Sequence, residues 1–339
     1  MHRSSLGLDE VIDWANLSRA FFLASRGKRG RADVESFRQR LEVELAALRT
    51  EILSGDLQLG PMTRFEIRDP KPRMISAPPF RERVLHHAIM QVMGPELEKS
   101  LIANTFACRI GKGPLVAIRH VQKLLRRRPW YIHIDIRSYF PSISHVVLLM
   151  QLKRRFKNRA LLDVVTRIVA AHKDAPGRGL PIGALTSQNF ANFYLAKVDR
   201  LIQEDPRVGG YVRYMDDLIW SSETKDMARN VLADARAVIE NELLLTIKKP
   251  FRLGRSCDGV VFCGYRILPD QILLSRRKKR RYSNFRSEIE KAFCDGRINA
   301  AELQRRYDAI QAVTMHADAK AWRKEQLLRC PLAPMLVEV

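Results

Sequence analysis

Hydrophobic residues recur with helical spacing through most of the first sixty positions. In VESFRQRLEVELAALRTEIL, Phe37, Leu41, Leu45 and Leu48 share one face and charged residues occupy the other. The period changes in TRFEIRDPKPRMISAPPF (63–80), where apolar and polar positions alternate as in a strand, turn at prolines 70 and 72, and resume. Helical spacing returns in FRERVLHHAIMQVMGPELEKSL and in PLVAIRHVQKLLRRR. WYIHID (130–135) is a short apolar strand closed by an acid, and Pro141 forbids its simple continuation. A helical pattern then runs to about Ala171, and a turn, DAPGRGLPIG, leads into the helical stretch ALTSQNFANFYLAKVDRLI. YVRYMDDLIW (211–220) sets aromatic and branched runs on both sides of two adjacent acids, the pattern of a hairpin with Asp216 and Asp217 at its tip. Beyond it the spacing predicts a helix over 225–244, strand-like pieces at 243–247 and 260–267, and a basic helical tail from Leu274 to Arg329. Strands paired out of sequence order and mixed with helices describe an α+β body with a small helical C-terminal domain.

Charge narrows the partners. Lys and Arg total 59 against 37 Asp and Glu, a formal net charge of +22, which points to a polyanion, nucleic acid or anionic membrane. No apolar run approaches a membrane span, and MHRSSLGLDE lacks the apolar core of a signal peptide, so no membrane residence and a cytoplasmic location are expected. The five cysteines are scattered, odd in number and without CxxC spacing, which speaks for reduced thiols and against a structural zinc site. SRGKRGRAD (25–33), Arg126–Arg128 and RRKKRR (276–281) are basic runs that fit either phosphate contacts or solvated faces. GKG (111–113) lacks the rest of a phosphate-loop pattern.

Adjacent carboxylates between apolar strands repel one another and are costly to bury without a compensating cation or donor. A polar turn and a metal site both fit the DD pair, and the metal site needs a further acid. Asp135 supplies it, because it too closes an apolar strand and sheet pairing could bring it to Asp216. Two divalent ions about 4 Å apart need bridging carboxylates, for which Asp135 and Asp216 are the candidates. All-oxygen ligands favour magnesium, and in a basic chain such a site suits nucleotidyl transfer.

YMDD after a strand, with DIRSYF upstream, resembles the reverse transcriptases. FEIRDPKPRMISAPPFRERVLHHAI looks like their fingers segment, GLPIGALTSQNFANFYL like the template-handling loop and helix, and VVFCGYRI like the primer-gripping hairpin. These occur in the family's order over roughly residues 60–270. Most of the family carries Gln before Gly in the LPxG loop, often with Ser-Pro following; here Ile182 precedes Gly183, and Ser187-Gln188 follow. That form resembles the enzymes of diversity-generating retroelements, which copy a template RNA with errors opposite adenine. The tail containing MHADAKAWRKEQLLR is similar too, and no added endonuclease, maturase or RNase H segment is expected.

The resemblance implies a right-hand polymerase fold. Its parts would be an N-terminal helical region (1–60), fingers-like segments (61–129 and 144–190), a palm of antiparallel sheet and helices (130–143 and 191–270), and a small helical basic thumb (271–339). It implies Asp135, Asp216 and Asp217 as catalytic metal ligands with the Ile136 carbonyl, for two Mg2+ ions or Mn2+ in their place. Lys71 and Arg73 would contact the triphosphate of a dNTP, Phe140 would block a ribose 2′-OH, and Ile182 and Gly183 would border the nucleotide. Ser187, Gln188, Phe262, Gly264, Tyr265, Arg276, Arg277 and Lys278 would hold template and primer, with Lys249, or Lys248 beside it, as the general acid. Implied partners are a template RNA, the RNA–DNA duplex and a small basic oligomeric accessory protein. Two rival readings remain: a related antiphage-defence reverse transcriptase, able to make untemplated DNA, and a catalytically idle RNA-binding scaffold.

Overall fold

The computed structural model describes residues 3–68, 72–172 and 174–329. Four helices lead: α1 (Leu8–Ile12), α2 (Trp14–Ser25), α3 (Ala32–Gln39) and α4 (Leu41–Ser54). The single periodic run read over 34–53 is split at Arg40, whose ψ of 29° leaves the helix. The break lets Phe37 stack on Phe21 and meet Phe80 edge-on, while Leu45, Leu48 and Ile52 bury from a second axis. A two-stranded antiparallel ribbon follows, β1 (Thr63–Arg68) with β2 (Pro72–Ala77). Then come α5 (Phe80–Glu98), buried along most of its length, and α6 (Pro114–Arg127).

The central sheet is antiparallel throughout, in the order β4 (Gly210–Tyr214), β5 (Asp217–Ser222), β3 (Trp130–Asp135), β6 (Arg252–Arg255). Its strands are apolar because both faces are covered. Ile132, Ile134, Leu218 and Trp220 turn to one core, which includes Ala228, Val231 and Leu232 of α12 (Lys225–Ala237). Tyr131, Val212 and Ile219 turn to the other, formed with Ile118, Val121 and Leu125 of α6. Side chains alternate along a strand, so Asp135 shares the face of Tyr131 and His133.

Between β3 and β4 the helices α7 (Tyr139–Ser142), α8 (His145–Arg155), α9 (Arg159–Ala170), α10 (Leu185–Tyr194) and α11 (Ala196–Glu204) build the larger core. Two long helical readings are thus each divided. Asn158 caps α9 by accepting the Leu161 amide at 2.8 Å, and Leu195 (φ −89°, ψ 0°) separates α10 from α11. The helix read over 225–244 leaves regular geometry after Ala237 in a wide turn at 238–242. The strand-like piece at 243–247 forms only a bridge, Ile136 with Ile247, and the strand that does pair with β3 is the basic, partly exposed β6, which the alternation pattern did not reveal.

A three-stranded meander, β7 (Val260–Phe262), β8 (Tyr265–Ile267) and β9 (Ile272–Leu274), feeds directly into α13 (Arg276–Cys294), α14 (Ala300–Ala312) and α15 (Lys320–Arg329). Asp318 ties this helical end to the meander, donating its amide to the Ile272 carbonyl at 2.7 Å and accepting the Ile272 amide at 2.9 Å. The α+β composition with antiparallel sheets is as read from the sequence. Among the described residues no helix is long and apolar enough to cross a membrane.

Candidate active site

Pairing of β3 with β5 sets Asp135 directly opposite Asp217, and the Ile136 amide donates to the Asp216 carbonyl at 3.2 Å. The three acids therefore meet at one end of the sheet. The β4–β5 hairpin turns through Met215 and Asp216, and Met215 sits at φ +57°. Glycine is the usual residue at such a position; a branched-free side chain there costs roughly 1–2 kcal/mol, strain of the kind found at functional turns.

Burial, then the charges of Asp217 and Asp135, push the Asp216 carboxyl up to about 7. Asp217 faces His133 Nε2 at 3.2 Å. Asp135 is paired with Lys248, whose Nζ donates to its Oδ2 at 2.9 Å, and that bond holds the Lys248 ammonium above its ordinary value. The strand-like piece at 243–247 explains how: Arg137 donates to the Thr246 carbonyl and Lys248 to the Asp135 carbonyl, so this segment runs along the end of β3. Among the described residues no three His, Cys, Asp or Glu side chains stand ready to hold an ion as they are. The donor set still fits one. It is all oxygen, suited to a hard divalent cation, and the crowding that raises Asp216 is a charge deficit such a cation would relieve.

These acids lie in a cleft of about 2040 Å³. On one side the β1–β2 ribbon contributes Arg73, whose charge is felt at Asp216. Lys71 lies outside the described residues. Ile182 and Gly183 line the same wall, and the Ile182 carbonyl accepts the Ser76 amide of β2 at 2.9 Å. Gly183 is required here: its φ is +127°, and a Cβ would stand 3.0 Å from Ile75 Cγ2 and 3.2 Å from the Ser76 carbonyl. Tyr139 and Phe140 both line the cleft; Tyr139 is buried with its hydroxyl donating to the Ala191 carbonyl at 2.5 Å, and Phe140 is the more exposed ring of the two. Gln188 reaches the cleft; Ser187 does not, because α10 turns it into the core.

On the opposite wall stand Phe262, Gly264, Arg276 and Arg277. Phe262 meets the His133 ring edge-on, centroids 5.7 Å apart, and so links the meander to the acids. Cys263 and Gly264, at φ +46° and +80°, form the tight turn between β7 and β8. Tyr265 is buried rather than exposed to the cleft, and Lys278 caps its ring with Nζ 3.5 Å from the centroid. Tyr265 and Lys278 thus act as packing of the meander, because the helix start folds Lys278 back over β8. Lys248 and Lys249 both line the cleft, and of the two it is Lys248 that holds the acid.

Two residues the sequence reading passed over are Asp199 and Arg213. Both are fully buried, and the Arg213 guanidinium binds Asp199 through Nε and a terminal nitrogen at 2.6 Å each. An Arg inside the apolar run YVRY was the available signal, since a buried charge demands a partner.

The sequence model of the family described as Reverse transcriptase (RNA-dependent DNA polymerase) matches residues 67–249, more than half of the chain. Protein YkfC of Escherichia coli is 26% identical over 293 residues, 73% of this chain and 75% of that protein. The putative COX1/OXI3 intron 1 protein of Saccharomyces cerevisiae is 25% identical over 171 residues, 47% of this chain and 20% of that protein. Among solved structures, apo telomerase from Candida tropicalis aligns with a TM-score of 0.48 at 11% identity, over 68% of this chain and 59% of that one. Telomerase from Candida albicans in complex with a telomeric RNA fragment aligns at 0.49 and 12% identity, over 70% and 51%. The chain spans under two thirds of both telomerase chains and a fifth of the yeast intron protein. On the extent of the family match, the chain belongs to the reverse transcriptases, RNA-directed DNA polymerases.

Proposed function

We propose that this cleft extends a DNA strand on a template RNA, with errors concentrated opposite template adenine, as the polymerase of a diversity-generating retroelement. The observation that carries the polymerase reading is the register that sets Asp135 against Asp217, with Asp216 beside them at the base of a large cleft. Asp135, Asp216, Asp217 and the Ile136 carbonyl would hold magnesium, with manganese as a substitute. Bound there, it would activate the attacking 3′-hydroxyl and neutralise the departing pyrophosphate. The ribbon carrying Arg73 acts as fingers, binding the triphosphate through charge-assisted hydrogen bonds. Phe140 meets the sugar and excludes a 2′-hydroxyl. The central sheet serves as palm. The helices from Arg276 onward serve as thumb, their arginines following the duplex backbone, so affinity falls steeply with added salt.

Ile182 supports the low-fidelity reading. It sits on the cleft wall, main-chain bonded to the strand that carries Arg73, and it can only fill space where Gln could donate and accept hydrogen bonds. A site without that polar check discriminates less between right and wrong bases. A small basic oligomeric accessory protein completes the proposed assembly. The test is primer extension on RNA with magnesium, followed by sequencing of the product. Asp216→Ala abolishes extension, wild type shows substitutions opposite adenine, and Ile182→Gln reduces them. Untemplated homopolymer would assign the chain to the defence type, and equal adenine errors in wild type and Ile182→Gln would remove Ile182 from the account.

A further inference from the structure

We propose that Arg213 is a positioning residue that holds the Met215–Asp216 turn in its active shape. The inference rests on the reading of Asp216 and Asp217 as the polymerisation acids. Arg213 is fully buried one strand position before Tyr214, with its charge met by Asp199. A buried ion pair is weak evidence of stability in itself, since apolar residues of similar volume often do as well. What sets this guanidinium apart is where its remaining donors go. Nη1 donates to the Met215 carbonyl at 3.0 Å and to Asn192 Oδ1 at 3.0 Å, and Nη2 donates to the Asn192 carbonyl at 2.9 Å. Met215 is the residue at φ +57°, and its carbonyl belongs to the peptide unit that enters Asp216.

The same residue is anchored through its backbone. Its amide donates to the Asn104 carbonyl at 2.9 Å, and its carbonyl accepts the Phe106 amide at 3.0 Å. Asn192 in turn donates to the Ala107 carbonyl at 2.6 Å, and Tyr211 donates to Asp199 at 2.7 Å. The segment 104–107 is thus tied to Arg213 through the backbone and through Asn192, while helices α10 and α11 and the strained turn are fastened to one planar group. Its fork geometry allows simultaneous bonds that a lysine ammonium on a flexible stem cannot reproduce.

The test compares Arg213→Lys with Leu48→Ala, a core truncation in the N-terminal helices that lowers stability far from the cleft. Arg213→Lys keeps a cation opposite Asp199 but releases Met215. Displacement of reacting groups by about an ångström costs up to about a hundredfold in rate, so kcat for nucleotide addition should fall about tenfold or more. KM for dNTP and Kd for the RNA–DNA duplex stay within about twofold, because the loss is in the transition state and not in ground-state binding. Leu48→Ala lowers the melting midpoint comparably and leaves kcat within about twofold. Adding Met215→Gly to Arg213→Lys lets the turn take positive φ without its brace, so part of the lost kcat returns. The proposal is overturned if Arg213→Lys loses no more kcat than Leu48→Ala, or if the double variant recovers nothing. An Asp216→Asn enzyme with full activity would instead strike the underlying assignment of the acids.

Discussion

Replacing Asp216 by Asn should abolish DNA synthesis and yet make the cation-free protein more stable. The reasoning starts from the raised carboxyl, at about 7 against an ordinary value of 3.8. A carboxyl raised in the folded state contributes stability that is complete below the unfolded value and is lost as pH rises through the folded one. Taken whole, a shift of that size corresponds to a ceiling of about 4 kcal/mol between pH 3 and pH 8. Asp216 lines a cleft open to solvent, and Arg73 acts against its acidic neighbours, so screening reduces the figure to roughly 2 kcal/mol. Asn keeps the shape and removes the charge.

Thermal or urea unfolding without divalent cation then gives three linked outcomes. At pH 8 the Asn variant is more stable than wild type by roughly 2 kcal/mol, the difference shrinks as pH falls and the two converge only below the ordinary carboxyl value of 3.8, and millimolar magnesium at pH 8 stabilises wild type more than the variant. A variant no more stable than wild type at pH 8 would show that the acids are not crowded in the folded state, and the charge-deficit argument for a cation would fail.

Lys248→Ala frees the Asp135 carboxylate from a half-exposed ion pair worth about 0.2–1 kcal/mol. The half-activating magnesium concentration should fall by up to about fivefold, and Lys249→Ala should leave it unchanged; cation titration by calorimetry checks this without catalysis. Phe140→Ala opens the cleft floor, and ribonucleotide incorporation relative to deoxynucleotide should rise about tenfold or more in single-nucleotide extension. His86 is buried against the Thr186 hydroxyl at 2.8 Å, and burial lowers it from 6.5 to about 4. A depressed histidine contributes stability present above pH 6.5 and lost as pH falls towards 4, about 3 kcal/mol here. Urea midpoints across that window should drop in wild type and flatten in His86→Gln.

What could be read from the sequence was set by local pattern. The strands β3 and β5 are apolar runs flanked by acids, so the hairpin and an approach of Asp135 to the acid pair could be expected from them, but the expected partner was Asp216 whereas the register sets Asp135 across from Asp217. Helices α5 and α6 kept their spacing over many turns. Strand β6 was missed because RLGR is a basic edge, and edge strands are specified by the neighbour they pair with more than by alternation. The pairing of Lys248 rather than Lys249 with Asp135 depends on an extended segment laid along β3, a tertiary fact that no local spacing encodes. The burial of Tyr265 and Ser187 was hidden for a related reason: a motif names a position but not the side to which its side chain turns.

The register of the central sheet is where packing and chemistry become one constraint. Trp220 lies opposite Ile132 and Leu218 opposite Ile134, all fully or nearly fully buried on the α12 side. Ile219 faces His133 on the α6 side, and Asp217 faces Asp135 one pair further on. A slip of one residue would exchange the faces, driving Trp220 into the α6 layer and Ser221 into the α12 core. Both layers are filled, so neither exchange can be absorbed by solvent. The apolar pairs thereby fix which acid stands across from Asp135, while Arg213 governs the turn that carries the next one. Two like charges are kept together by hydrophobic pairs that never touch them, and this is why the repulsion at Asp216 persists in the folded state instead of relaxing by a shift of the strand.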